Sequence, residues 1–193
     1  MGRSLSTEKR IPPSDRQTLL QVARGSINHG LISHQPPSID PGQFSIALQA
    51  KRAVFVTLKL KGALRGCIGM LEPIHTIVEG VSSNAYRAAF KDPRFPPLSR
   101  SEADHTSIHI ALLTSPHLIQ VANESDLLRQ LNPERHGLIL KSGSRQATFL
   151  PSVWQLLNEP RRFVRQLKLK AGLSADAWPP DLQFQTYEVE SVE

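Results

Sequence analysis

Apolar side chains along this chain recur at two spacings, every second residue or every third to fourth, and each spacing predicts a different element. Residues 54–60 alternate apolar with polar side chains, as in a half-buried strand that ends at Gly62. The run LRGCIG (residues 64–69) then returns beside it as the second strand of a hairpin. Because strand side chains alternate between two faces, we expect Arg65 and Cys67 to share one face.

The remaining elements follow from the same two spacings. Helices are predicted to begin at Ser14 and Pro73, after an N-cap at Ser125 and at Pro151, and a last helix is predicted to end at Gly172. Strands are predicted at 108–112 and 182–189, and a second hairpin at 137–150. The elements do not alternate as βαβ units and both hairpins are antiparallel. We therefore predict an α+β fold, an antiparallel sheet flanked by helices.

The length of the chain indicates one domain or two interlocked subdomains, since 193 residues are few for two independent domains. We expect residues 1–13 to form a mobile tail and residues 14–190 to form the domain. No run of 18 apolar residues and no secretory signal is present, so we expect a cytoplasmic protein without a transmembrane segment. The single cysteine allows no internal disulfide, which agrees with a reducing compartment.

Positive charge is concentrated in residues 129–170, which hold nine of the lysines and arginines behind the net charge of +6. A basic face of this kind is typical of a nucleic-acid-binding surface or of an ordinary solvated surface. No RNA-binding or zinc-finger signature accompanies the charge, and aromatic residues for base stacking are few. Nucleic-acid binding is therefore the less favoured hypothesis.

The most specific chemistry is expected around Cys67. Arg65 on the same face would stabilise a thiolate or hold an anionic substrate, and the two residues are our candidate catalytic pair. A nucleophilic cysteine also needs a base, for which His136 is the best candidate. Asp92 and Arg94, in the proline-rich loop DPRFPPL, are candidates for orienting groups and anion binding. The alternative hypothesis is that the cysteine is a small buried apolar residue.

Three further residues complete the predicted substrate-binding set. They are Gly66 and Gly69 beside the cysteine, and Asn84 on the helix that follows Pro73. Glycines in a strand also mark bulges or close backbone packing, and an asparagine on the polar side of a helix is often a surface group. The pair His105 and His109 has helical metal-ligand spacing, but the alternation there indicates a strand, so we expect neither a metal nor a cofactor.

Several separated motifs resemble one known family, the AMMECR domain family. They are LRGCIG, NAYRAAFKDPRFPPL (84–98), HGLIL (136–140), TFLPSVW (148–154) and KAGL (170–173). The resemblance runs from about the first helix to the last strand. It departs from the family pattern at Ala111, where a serine is expected.

The resemblance implies an α+β fold of two subdomains, with LRGCIG close to the groove between them. It supplies no reaction, since the family has no settled biochemical activity. Microbial relatives often occur with Memo-type and radical-SAM proteins, which implies one step of a shared modification system. We therefore consider three hypotheses: an enzyme using Cys67, an adaptor that binds a Memo-type partner, and a nucleic-acid-binding protein.

Overall fold

The structure is a computed structural model that describes residues 10–193 of the chain. Within these residues the strands are β1 Val54–Leu60, β2 Ala63–Gly69, β3 Thr106–Leu113, β4 His117–Ile119, β5 Gly137–Ser142, β6 Arg145–Phe149, β7 Gln183–Tyr187 and β8 Val189–Val192. They form two four-stranded antiparallel sheets, ordered β2-β1-β3-β8 and β4-β7-β5-β6. The α+β class predicted from the sequence is confirmed.

The described helices are fewer in number than the strands. They are α1 Pro13–Ser33, α2 Ile46–Gln49, α3 Ile77–Phe90, α4 Arg100–Ala103, α5 Glu124–Gln130 and α6 Pro160–Lys170, with 3-10 turns at Pro41–Gln43 and Pro151–Gln155. Residues 10–113 and 190–193 form a first compact unit, and residues 114–189 form a second. Each unit contains one sheet and its own apolar core.

In the first unit, α1 and α3 pack together and contribute with the sheet to one buried core. The structure begins α3 at Ile77, four residues later than the predicted start at Pro73. Thr76 and Glu79 form a capping box, in which the Thr76 hydroxyl accepts the Glu79 N–H and the Glu79 carboxylate accepts the Thr76 N–H. Since this box fixes the first turn, Ile74 lies outside the helix and is 53% exposed.

Helix α1 begins at Pro13 rather than Ser14 and continues to Ser33, beyond the predicted end near Gly30. Proline suits the first helical turn because its missing N–H would have no partner there. Just before the helix, Ile11 is buried and donates its backbone N–H to the Glu190 carboxylate. Part of the predicted tail is therefore packed against the first unit. Residues 1–9 of that tail lie outside the described part of the chain.

The second unit contains the predicted second hairpin, β5 and β6, joined by a turn at Gly143. Helix α5 has Asn123 as its N-cap instead of the predicted Ser125, because the Asn123 side chain accepts the Asp126 N–H. Helix α6 ends before Gly172, which adopts the left-handed conformation expected of a C-cap glycine.

The single strand predicted at 182–189 is two strands in different sheets. β7 pairs with β4 and β5, whereas β8 joins β3 at the edge of the first sheet. The change of sheet occurs at Glu188, whose backbone oxygen and N–H bond the N–H and hydroxyl of Thr114. An alternating sequence pattern continues unchanged across such a switch, so it predicts one long strand.

None of the helices formed by residues 10–193 combines the length and the apolar character needed to cross a lipid bilayer.

Candidate functional site

Cys67 lies on β2, an edge strand of the first sheet, and is half-buried. It stands directly opposite Thr57 of β1, and its Sγ is 3.2 Å from the Thr57 Oγ1. Both side chains project from the face of the sheet opposite the apolar core, since their strand neighbours Val56 and Leu58 are fully buried. The thiol therefore has a hydroxyl partner on the outer face.

Two side chains of the proline-rich loop hold the backbone of Cys67. The Cys67 N–H donates to Asp92 Oδ2 at 2.9 Å, and Arg94 Nη2 donates to the Cys67 carbonyl oxygen at 3.3 Å. An edge strand leaves such groups without a strand partner, so the loop takes the place of a fifth strand at this one residue. We call Asp92 and Arg94, with these contacts, the clamp.

The clamp is itself a two-point ion pair. Arg94 Nε donates to Asp92 Oδ1 at 3.0 Å and Nη2 donates to Oδ2 at 2.7 Å. The hydrogen bonds from Arg94 hold the pKa of Asp92 far below its usual range, against the opposing effect of burial, and the Cys67 N–H adds to the lowering. The Asp92 side chain is 2% exposed and that of Arg94 is 53% exposed. A charged guanidinium therefore faces solvent beside Cys67.

Arg65 does not share this face, which corrects the expectation from simple alternation. Leu58 is opposite Gly66 but Lys59 is opposite Leu64, so Arg65 is an extra residue in a β-bulge. The bulge also places Leu64, which is 44% exposed, on the opposite side from that expected. A one-residue shift of this kind reverses the face of every side chain beyond it.

The Arg65 guanidinium is directed to Glu102 and not to the thiol. Nε and Nη2 donate to the two Glu102 carboxylate oxygens at 2.9 and 3.0 Å, and Nη2 also reaches the Pro97 oxygen at 3.4 Å. The hydrogen bonds from Arg65, together with that from the Ser99 N–H, lower the pKa of Glu102 to about 2. Arg65 is 7% exposed, and its Nη1 has no hydrogen-bond partner among the described residues. The guanidinium that lies beside Cys67 is therefore that of Arg94 and not that of Arg65.

The two motif glycines make room for protein atoms. A Cβ on Gly66 would collide with the Ala88 backbone oxygen of α3, and a Cβ on Gly69 would collide with the Phe55 ring. Asn84 is 4% exposed, and its Nδ2 donates to the Val54 oxygen at 2.9 Å. All three residues, predicted to bind substrate, therefore have packing contacts that explain their identity.

His136, the predicted base, lies in the second unit. Its Nδ1 accepts the Asn132 N–H at 3.1 Å, and its backbone oxygen accepts the Trp154 indole N–H at 2.7 Å. Burial lowers the pKa of His136. These contacts fix the loop before β5. The lone pair of Nδ1, with which the ring would accept a proton as a base, already accepts the Asn132 N–H.

Sequence reasoning missed two residues in line with Cys67. Thr57 is opposite Cys67 on one side and opposite His109 of β3 on the other, so the three form one row across the outer face. His109 Nε2 is 3.4 Å from a carboxylate oxygen of Glu193. The polar positions of β1 and β3 were visible in the sequence, but their alignment with Cys67 depends on the bulge.

The AMMECR1 family matches residues 20–192 of the chain. The chain belongs to this family. A protein of Methanopyrus kandleri, MK0488, is 35% identical to it over all of this chain and 92% of its own length. A protein of Nanoarchaeum equitans, NEQ441, is 34% identical over 77% of this chain and 84% of its own length.

A solved structure has the same fold as this AMMECR1-family chain. The uncharacterized protein PH0010 from Pyrococcus horikoshii superimposes with a TM-score of 0.84 and is 31% identical, covering 94% of this chain and 92% of its own. Ala111, where the resemblance leads us to expect a serine, lies on β3 opposite Phe55 and is 3% exposed. A side chain at that position is shielded from solvent.

Five of the nine lysines and arginines in residues 129–170 form ion pairs within the second unit. These ion pairs are Arg129–Asp126, Arg135–Glu188, Arg161–Glu124, Arg165–Asp176 and Lys168–Glu124. Lys168 is fully buried, and Lys170 donates to the Thr148 oxygen. Because these ion pairs offset part of the positive charge that would attract phosphates, the geometry gives the nucleic-acid hypothesis less support than the count of cations suggests.

Among residues 10–193, no three histidine, cysteine, aspartate or glutamate side chains come together as a metal-binding group. His105 precedes β3 and His109 lies on it, so the two do not share a helical face.

Proposed function

We propose that this family member carries out thiol-dependent group transfer on the outer face of its first sheet, with Cys67 as the nucleophile. The observation that carries the proposal is the clamp. Asp92 and Arg94 hold both backbone groups of Cys67, while the sulfur stays half-buried beside the Thr57 hydroxyl. A fixed backbone and an accessible side chain are what positioning of a nucleophile requires.

The unfavourable burial of the Asp92 carboxylate supports a role for the clamp beyond packing. Asp92 is a charged carboxylate that is almost completely buried, and removing a carboxylate from water is unfavourable unless it is well paired. A buried structural cysteine could have been held by an ordinary strand partner or a neutral side chain. An ion pair at this residue adds a fixed charge as well as a fixed backbone.

The exposed guanidinium of Arg94 supports the proposal that the substrate or donor is an anion. Its Nε and Nη2 are engaged by Asp92 and Cys67, whereas the side chain as a whole is 53% exposed. A guanidinium presents five donors in a planar fork, so the exposed edge remains available for a carboxylate or phosphate. We assign Arg94 the anion-binding role that the sequence suggested for Arg65.

On the family resemblance we further propose that this transfer is one step of a modification system. In that setting a Memo-type or radical-SAM partner would supply or receive the transferred group. The competing hypothesis is an adaptor that binds such a partner without chemistry. The Cys67→Ser variant separates the two, because an adaptor keeps partner binding and associated activity, whereas the transfer we propose loses its activity.

Alkylation of the native protein tests the proposal directly, since the only thiol gives an unmixed signal. We expect iodoacetamide to label Cys67 at pH 7 at a rate within about tenfold of a free cysteine, and Cys67→Ser to remove the label. We expect the anionic reagent iodoacetate to lose about threefold in relative rate in Arg94→Gln. A native thiol that resists both reagents until the protein unfolds would overturn the proposal.

A further inference from the structure

Phe95 lies in the proline-rich loop directly after Arg94, and its side chain is half-buried. Half-buried apolar side chains that pack against the core of the first unit include Phe44 and Phe90. Among the described residues, Phe95 packs against neither this core nor that of the second unit. Its ring lies instead against two guanidinium groups, those of Arg65 and Arg94. Contact with an apolar core therefore does not account for an aromatic side chain at this position.

The Arg94 guanidinium lies over the Phe95 ring, with Cζ 5.5 Å from the ring centre. Its hydrogen bonds to Asp92 use Nε and Nη2, which form one edge of the planar group. Bonds along a single edge leave the plane able to tilt about that edge, and the bond from Nη2 to the Cys67 oxygen is long, at 3.3 Å. The negative face of an aromatic ring attracts a cation within about 6 Å of its centre. The ring therefore restricts the tilt of the guanidinium beside Cys67.

The Arg65 guanidinium has a matching arrangement, with Cζ 5.8 Å from the centre of the same ring. It too is held along its Nε and Nη2 edge by a carboxylate, that of Glu102. Its side chain is 9% exposed, and Nη1 has no hydrogen-bond partner among the described residues. A buried donor without a partner is unfavourable, and the face of an aromatic ring offsets part of that loss. Phe95 thus joins two anchored cations, of which Arg94 faces solvent.

We propose that Phe95 is a positioning residue that acts through Arg94 and sets how strongly the thiol site prefers an anion. This role rests on the proposed function, in which Arg94 binds an anionic substrate or donor beside Cys67. Phe95 itself contacts no reacting atom and takes part in no covalent step. Because the attraction depends on the electron distribution of the ring, it can be weakened while the shape of the side chain is kept.

The test replaces Phe95 by trifluorophenylalanine in the full chain, because the fluorine atoms withdraw electron density from the ring face and add little volume. The readout is the rate of Cys67 alkylation by iodoacetate divided by its rate with iodoacetamide. We expect this ratio to fall about twofold, which is less than the loss of about threefold expected for Arg94→Gln. The same replacement at Phe44 is the matched control, since no cation among residues 10–193 lies over that ring. It should leave the ratio unchanged.

Two ordinary substitutions and one combination separate positioning from packing. Phe95→Tyr keeps an electron-rich ring and should keep the wild-type ratio. Phe95→Leu keeps an apolar side chain without a ring face and should lower the ratio as the fluorinated ring does. In an Arg94→Gln background the fluorinated ring should have no further effect on the ratio, because the cation through which it acts is absent. A side chain that serves only packing would show neither dependence.

The outcomes distinguish the role of Phe95 from the proposed function. A wild-type ratio with the fluorinated ring, together with a lowered ratio in Arg94→Gln, would overturn the role of Phe95 and leave the proposed function intact. An equal fall on fluorination in the Arg94→Gln background would also overturn it, because Phe95 would then act by another route. A ratio that Arg94→Gln leaves unchanged would overturn the anion-binding role of Arg94 and that of Phe95 with it. Failure of both reagents to label native Cys67 would overturn the proposed function, and the positioning role with it.

Discussion

The two hairpins of this protein differ in how their edge strands are held. β1–β2 and β5–β6 each turn through a glycine with positive φ, Gly62 or Gly143, and each contributes an edge strand to its sheet. On β6, Lys170 donates to the Thr148 oxygen and Tyr187 donates to the Phe149 oxygen. On β2, the clamp holds both backbone groups of one residue.

The two edge strands also differ in what their partners hold in place. Of the two donors to β6, Tyr187 is fully buried, and Lys170 is exposed with its ammonium 5.0 Å from the centre of the Phe149 ring. The clamp on β2 instead fixes a half-buried thiol, and its cation is half exposed. Edge strands are protected in both hairpins, and in the first hairpin the protection converges on the backbone of a half-buried cysteine.

The largest expected effect is on the free energy of unfolding, when one glycine from each hairpin is replaced by alanine. Gly66→Ala would press a methyl group against the Ala88 backbone oxygen, which cannot move without shifting α3, so we expect a loss of about 4 kcal/mol in the free energy of unfolding. Gly137→Ala meets the Tyr187 ring, which is a side chain and not backbone, and should cost about 2 kcal/mol. Urea denaturation would measure both.

Gly25→Ala is the control for these substitutions. Gly25 lies inside α1 with no atom within 4 Å of an added Cβ, so the change should stabilise the protein by about 0.5–1 kcal/mol. If Gly66→Ala lowered the free energy of unfolding no more than Gly137→Ala does, that result would contradict the close approach of β2 to α3.

The second prediction concerns a substitution that breaks the clamp. Asp92→Asn removes the charge that pairs with Arg94 and weakens the acceptor for the Cys67 N–H, and we expect a loss of about 2–3 kcal/mol in unfolding free energy. The exposed pair in the second unit supplies the control, because Asp176→Asn should change stability by less than about 0.5 kcal/mol. Similar losses in the two variants would contradict the difference drawn between the regions.

The third prediction concerns acid stability. The pKa of Glu102 is lowered to about 2 by Arg65 and Ser99, so its ionised form stabilises the folded state above pH 4.5. That contribution, about 2 kcal/mol, is lost as the pH falls from 4.5 to 2. Glu102→Gln should be less stable at pH 7 and should show a shallower decline over this interval. An unchanged decline would show that Glu102 is not ionised against Arg65.

The smallest effect compares one threonine from each hairpin. Thr148→Val removes a hydroxyl that bonds the Leu138 oxygen and the Tyr187 hydroxyl, and should cost about 1 kcal/mol. Thr57→Val should change stability by less than about 0.5 kcal/mol, because Thr57 is half-buried on the outer face. Its effect should appear in the reactivity of Cys67. A larger stability loss for Thr57→Val than for Thr148→Val would assign Thr57 to packing.

Much of the fold was predictable because the local signals are strong. The alternation in 54–60, the turn at Gly62 and the run that follows it specify the first hairpin, and the turn at Gly143 specifies the second. Errors occur at element ends, where side-chain contacts decide. The start of α3 depends on the capping box of Thr76 and Glu79, and that of α5 on Asn123.

The candidate site was predictable in its centre and not in its partners. Cys67, Asp92 and Arg94 were chosen from the sequence, and the structure brings them into contact. Arg65 was assigned the wrong neighbour because alternation assumes a regular strand. Thr57 and His109 were overlooked because a row across three strands depends on their registers.

The sequence by itself determined the α+β class, both hairpins and the family, since these depend on spacing, turn residues and ordered motifs. Only the tertiary structure decided which way Cys67 faces. A regular hairpin closed at Gly62 would place Cys67 opposite Val56, toward the core, and the bulge at Arg65 turns it toward Thr57 instead. That bulge is stabilised by contacts of Arg65 with Glu102 and of Gly66 with α3, which lie far along the chain. Local pattern carries no information about such distant partners.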